Sequence, residues 1–228
     1  MTKPTTDTDQ PHARLALIES ALHAFAHHGI NGVSLRTIVA DAGQHNQSAI
    51  HYHFKNKQGL VVAVLAYVSE LLAPEMQRSL ADFAQQPSVN WRPLDLTELI
   101  CRPFIKIDTD GGVGRTAIKF MSRLTWQEGG QGQLLLVQAV QPYFSQFSPA
   151  LIALNPGKPI DMLTFQLYLA VNTLIHGLAD SGLLTRSPAM GVEQIRRDKP
   201  KQMLNYFMGY IAGGLFTPVD TEAPTALD

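Results

Sequence analysis

Residues 34–57 (SLRTIVADAGQHNQSAIHYHFKNK) gather the side chains best suited to reading and gripping a nucleic acid. Gln47, Ser48 and His51 are small or planar polar groups that fit base edges, and a glutamine can bind adenine through two hydrogen bonds at once. Tyr52, His53, Lys55 and Lys57 follow directly, with hydroxyl, imidazole and ammonium groups suited to phosphate oxygens. Ser34, Arg36 and Thr37 stand about one helix earlier and could hold the opposite strand. His53 has a second reading, as a ring packed at a helix end.

Such a constellation works only if its helix is held rigidly, and the surrounding pattern supplies the means. Leu15, Ile18, Leu22 and Phe25 fall on one stripe of a first helix over about 12–28, which Gly29 stops. Ser34 is an N-cap for a second helix over about 34–41, ending before Gly43. Asn46 can cap a third over about 47–53. The inward residues Leu22, Phe25, Leu35, Ile38, Ile50 and Phe54 are all apolar, so three helices with a short turn between the last two form a helix-turn-helix. A fourth helix starts near Asn56 or Lys57, with Leu60, Val64, Leu65, Val68 and Leu72 buried, and Pro74 is expected to kink or end it.

Charge supports a confined contact rather than a wholly basic protein. The 228-residue chain has a net charge of −1, yet residues 14–57 are +2 and residues 58–228 are −2. Seven of the eight histidines precede residue 54. A mildly basic head on a slightly acidic body fits modest, salt-sensitive phosphate binding. A single cysteine, Cys101, excludes an intramolecular disulfide and suits a cytoplasmic protein. The polar N-terminus lacks a signal core, and no uninterrupted apolar run is long enough to predict a membrane span.

With these residues in view, the head resembles the N-terminal domain of the tetracycline-repressor (TetR) family. The matching runs are Arg14, Ile18, Ala21, Phe25 and Gly29; then Ser34, Leu35, Arg36, Ile38, Ala42 and Gly43; then the YHFKNK segment ending at Lys57. The resemblance implies an all-α homodimeric regulator of transcription with a divergent C-terminal domain that binds a small ligand. Carried over by position, its base- and phosphate-contacting places fall on Gln47, Ser48, His51, Tyr52, His53 and Lys57, with Arg36 and Thr37 on the second helix. The chain departs from the family in one respect: from Gly43 to Phe54 it counts eleven residues, one more than the common pattern, so QHN occupies a lengthened turn. His51 also stands where a tyrosine is common.

The remainder predicts helices over about 96–107, 113–126, 131–155 (interrupted around Pro142 and Pro149), 160–184 and 199–216, after a proline-containing loop at 86–96. The class is all-α. The expected domains are a disordered tail at 1–11, a DNA-binding head at 12–58, a ligand-binding and dimerisation body at 59–217, and a disordered tail at 218–228. Pocket candidates are Phe104, Phe120, Met121, Leu124, Trp126, Tyr143, Phe144, Phe147, Phe165, Tyr168, Asn172 and His176, aromatic and Met side chains with a few orienting polar groups. For any one of them, and for His176 above all, ordinary core or interface packing is the alternative.

The last helix carries Gly209, Ala212, Gly213 and Gly214, small residues that let helices approach closely. The resemblance implies that it and the long helix before it pair two copies of the chain; ordinary packing within one chain is the alternative. Thr109–x–Gly–Gly–x–Gly–Arg–Thr116 follows a strand-like FIKID but lacks the first glycine and the lysine of a phosphate loop. His23 and His27 are spaced i, i+4 with no third metal ligand. No catalytic motif is present, so the chain is read as a non-enzyme without a cofactor or metal. Its expected partners are a double-stranded operator and an unidentified small-molecule effector. The alternative is a helical small-molecule-binding or protein-interaction module without DNA affinity.

Overall fold

A computed structural model of the chain describes residues 9–218 apart from His45, Gln47, residues 87–89 and residues 181–199. Among the described residues there are helices and turns and no strand, as an all-α pattern requires. The helices are α1 (Asp9–His28), α2 (Leu35–Asp41), α3 (Ser48–Phe54), α4 (Lys57–Ala84), α5 (Pro93–Asp110), α6 (Gly112–Gln127) and α7 (Gly129–Phe144). A 3-10 turn (Ser145–Phe147) leads into α8 (Ser148–Ala153), followed by α9 (Ile160–Ala179) and α10 (Pro200–Phe216).

Pro74 and Pro142, expected to kink or interrupt helices, lie inside α4 and α7, and Pro103 of the helix predicted over about 96–107 lies inside α5. A proline inside a helix costs roughly 3 kcal/mol. Buried neighbours offset it: Leu72 in α4, Phe104 in α5, and Tyr143 and Phe144 in α7. Pro93 and Pro149 stand in first turns, where the missing N–H has no partner to lose, and α5 therefore starts inside the expected loop. For the same reason α1 begins at Asp9 and takes in Pro11, residues expected to be a disordered tail. The strand-like FIKID is helical, within α5. Leu15 is exposed at 42%, and Leu17 takes its place beside Ile18, Ala21, Leu22 and Phe25 in the buried stripe of α1.

The chain divides into two compact units. The first comprises the described residues of Met1–Met76 and Pro103–Pro142, and the second those of Gln77–Arg102 and Tyr143–Asp228. In the first unit, α1 lies along α6, with the Phe25 and Phe120 rings stacked at 6.3 Å between centroids. Ile38, Ile50, Phe54, Leu60, Val61, Val64 and Val68 are buried in the same unit.

In the second unit, Phe83 stacks on Trp91 at 5.6 Å and meets Phe147 edge-on at 4.8 Å, while Tyr143 meets Phe147 at 5.1 Å. Here α9 packs on α10 so closely that a Cβ at Gly177 would lie 2.5 Å from the Phe207 ring. The Lys158 ammonium holds the end of α10 by donating to the Leu215 carbonyl at 3.0 Å and to Gln166 Oε1 at 2.7 Å.

By length and composition, α4 and α9 are each apolar enough to cross a membrane. In α4 the apolar residues Leu60, Val64, Val68 and Leu72 are buried within the protein. The α9–α10 pair instead exposes Ile160, Phe165, Leu169, Tyr206 and Tyr210.

Candidate nucleic-acid interface

The short helices of the head begin where side chains supply the missing hydrogen bonds. Ser34 Oγ accepts from the Thr37 N–H at 3.1 Å, capping α2. Asn46 Oδ1 accepts from the Ser48 N–H at 2.9 Å, and α3 starts at Ser48. Asn56 Oδ1 accepts from the Gly59 N–H at 2.9 Å and caps α4. Between α3 and α4 the backbone reverses sharply: Lys55 has φ 67°, and a Cβ at Gly59 would lie 1.9 Å from the Phe54 carbonyl oxygen. The sequence placed the start of this helix near Asn56 or Lys57 but did not single out the Asn56 cap or Gly59.

On this frame Ile50 and Phe54 point into the core, while Ser48, His51 and Tyr52 are exposed on α3, Tyr52 at 71%. Gln47 lies outside the described residues. Arg36 and Thr37 are exposed in the first turn of α2, although the Thr37 hydroxyl is 2.8 Å from Ser34 Oγ. His51 Nδ1 donates to the Lys55 carbonyl at 2.8 Å, which places the ring proton on Nδ1 and leaves Nε2 available. His53 is half-buried, edge-on to Tyr52 at 4.9 Å. Burial and the nearby Arg14 charge lower its pKa, so the neutral ring is favoured.

Lys57 does more than a phosphate contact requires. Its ammonium donates to the Val33 carbonyl at 2.7 Å and lies 5.9 Å from the centre of the Phe25 ring. Burial lowers its pKa, and the Glu128 carboxylate pulls it back up. The Arg14 guanidinium sits 5.6 Å from the centre of the Phe54 ring, a contact the sequence did not single out.

The pocket candidates are divided between the two units. Phe104, Phe120, Met121 and Leu124 are fully buried in the first, where Trp126 is exposed at 76%. Tyr143, Phe144 and Phe147 are buried in the second, while Phe165 and Tyr168 are exposed and Asn172 and His176 are half-buried. The Tyr143 hydroxyl is shared between the Leu99 and Ile100 carbonyls at 3.2 and 3.1 Å, and burial pushes its pKa up. Asn172 Nδ2 donates to the Tyr168 carbonyl at 2.9 Å on its own helix. Burial lowers the His176 pKa, and Asp180 opposes it.

An apolar cavity of about 10 Å³, room for one water at most, is lined by Phe144 with Thr97, Cys101, Leu167, Leu174 and Ile211. The glycine-rich segment 109–116 forms the α5–α6 corner, with Gly111 and Gly112 at φ 75° and 53°. Its Arg115 is turned to Asp108, 3.6 Å away. Among the described residues no group of three or more His, Cys, Asp or Glu is placed to hold a metal ion.

This geometry agrees with what the chain is similar to. A family model described as bacterial regulatory proteins of the tetR family matches residues 17–64, and one described as a tetracyclin repressor-like C-terminal domain matches residues 98–214. The HTH-type transcriptional dual regulator CecR of Shigella flexneri is 28% identical over 157 residues, 67% of this chain and 69% of that protein. A TetR family transcription regulator from Marinobacter aquaeolei VT8 shares the fold with a TM-score of 0.58 at 14% identity, covering 92% of this chain and 98% of its own. SmeT, the repressor of the Stenotrophomonas maltophilia multidrug efflux pump SmeDEF, does so with a TM-score of 0.54 at 20% identity, over 92% of this chain and 96% of its own. The chain belongs to the TetR family of bacterial transcription regulators.

Proposed function

We propose that the protein is a cytoplasmic, ligand-responsive repressor that binds a near-palindromic operator as a homodimer and leaves it when a small apolar or aromatic effector binds the body. The carrying observation is α3: capped at Ser48, anchored by Ile50 and Phe54, and exposing Ser48, His51 and Tyr52 on its other side. Base readout is assigned to Gln47, Ser48 and His51. Phosphate contact is assigned to Tyr52, His53 and Lys57, with Arg36 and Thr37 on α2.

Homodimerisation is assigned to α9 and α10. Their exposed Phe165, Leu169, Tyr206 and Tyr210 form an apolar surface that a second copy would cover. Release follows from a population shift: an effector that binds better to a form with the wrong spacing between heads lowers operator affinity. The effector pocket is assigned to the aromatic and Met candidates of the body, side chains that suit an apolar or aromatic ligand.

The test is a fluorescence anisotropy titration of the protein with its own upstream DNA and a scrambled duplex, each at two salt concentrations. Preferential binding that weakens steeply with salt is expected. Equal affinity for both duplexes would refute the reading.

A further inference from the structure

The turn joining α1 to α2 is tied to the far end of α6. At the C-terminus of that helix, Gln127 Oε1 accepts from the buried Ile30 N–H at 2.6 Å. The Gln127 backbone carbonyl, one of the last-turn acceptors that a helix leaves unpaired, accepts from Asn31 Nδ2 at 3.3 Å. Gly29 makes the approach possible: its φ is +81°, and a Cβ there would lie 2.4 Å from Gln127 Nε2. The other end of the same turn is held by Lys57, which donates to the Val33 carbonyl and feels the charge of Glu128, the residue after Gln127. Residues 29–33 are thus fixed at both ends, and α2 starts immediately beyond them.

We propose that Gln127 is a positioning residue for DNA binding: by holding the Ile30 amide it sets the entry of α2, and with it the placement of α3, relative to α6. The inference deepens the operator-binding reading above and rests on it. It gives α6 a contact with the head that is separate from the covalent connection through α4. A shift of the α6 end that pulls Gln127 from Ile30 would loosen the reading helix without touching a DNA-contacting side chain.

Two variants of the full chain test this. Gln127→Met keeps the side-chain volume and removes the acceptor, whereas Gln127→Glu keeps the acceptor. Three readouts are compared with wild type: Ile30 amide hydrogen exchange, the melting temperature, and the ratio of affinities for upstream and scrambled DNA. The ratio is chosen because added charge alone moves both affinities together. Gln127→Met is expected to speed Ile30 exchange about tenfold or more and to cut the ratio about fivefold or more, as loss of one buried hydrogen bond allows. Gln127→Glu should restore both to within about twofold.

An unchanged ratio in Gln127→Met alongside faster Ile30 exchange would overturn the positioning role. So would unchanged exchange, or a Gln127→Glu variant that loses as much as Gln127→Met. If wild type itself shows no preference for the upstream DNA, the functional reading fails. The exchange data then still report whether the clasp exists, so the two failures are told apart.

Discussion

Replacing Lys57 with methionine separates the two roles this residue holds. Methionine keeps most of the aliphatic stem but deletes the ammonium, which donates to the Val33 carbonyl at 2.7 Å and lies 5.9 Å from the Phe25 ring centre. A hydrogen bond from a charged donor contributes about 1.5–3 kcal/mol, and a partly exposed cation–π contact about 0.5–1 kcal/mol. Lys57 is only half-buried, so the lower ends apply and the expected loss is about 2 kcal/mol. For a chain of this size that lowers Tm by roughly 4–8 °C.

An ammonium has three donors and Val33 takes one, so phosphate contact remains open to the others. Loss of that contact lowers the slope of log affinity against log salt by about one per head. Calorimetry and anisotropy at several salt concentrations read the two effects independently. A Tm within a degree of wild type would refute the Val33 tie, and an unchanged salt slope would refute the phosphate contact.

Other outcomes follow from individual contacts. Burial lowers the folded pKa of His27, His53 and His176, helped at His27 by His23, Lys119 and His28 and at His53 by Arg14. The unfolded chain protonates near the ordinary value of 6.5, so the stability held above that pH is lost as pH falls through it toward the lowered folded values. Tm should therefore drop between pH 7.5 and 5.5, and a flat or rising Tm would contradict this. Burial raises the Cys101 thiol from 9.0 to about 12, so a thiol reagent at pH 8 should label the unfolded chain quickly and the native one hardly at all. Tyr210→Asp places a charge on the exposed apolar face of α10 and should turn a dimer into a monomer by light scattering; an unchanged mass would move the interface elsewhere.

The head was legible because short-range rules govern it. Ser34 and Asn46 cap where small polar side chains precede apolar runs, and Ile38, Ile50 and Phe54 are buried as their spacing requires. Two prolines were less legible, since tolerance at Pro74 and Pro142 depends on tertiary packing of the residues beside them. FIKID, strand-like in isolation, lies in the helix that the longer pattern predicts over about 96–107.

Lys57 was recognised as a cation of the head, but its tie to Val33, some 24 positions earlier, depends on the folded turn. Gln127 carried no local signal, because its partners Ile30 and Asn31 are about a hundred positions away. Composition also could not distinguish core from surface among the aromatic pocket candidates: Phe120 is fully buried, whereas Trp126 and Phe165 are exposed.

The central claim is that two α3 helices of a dimer read one operator. Hydroxyl-radical footprinting of the upstream DNA tests it most directly. Two-fold symmetric protection is predicted, with half-site centres about one helical turn apart, or a multiple of it. Gln47→Ala should leave the protected phosphates unchanged while relaxing the base preference within each half-site. A single unsymmetric patch, or uniform protection that ignores sequence, would contradict the account.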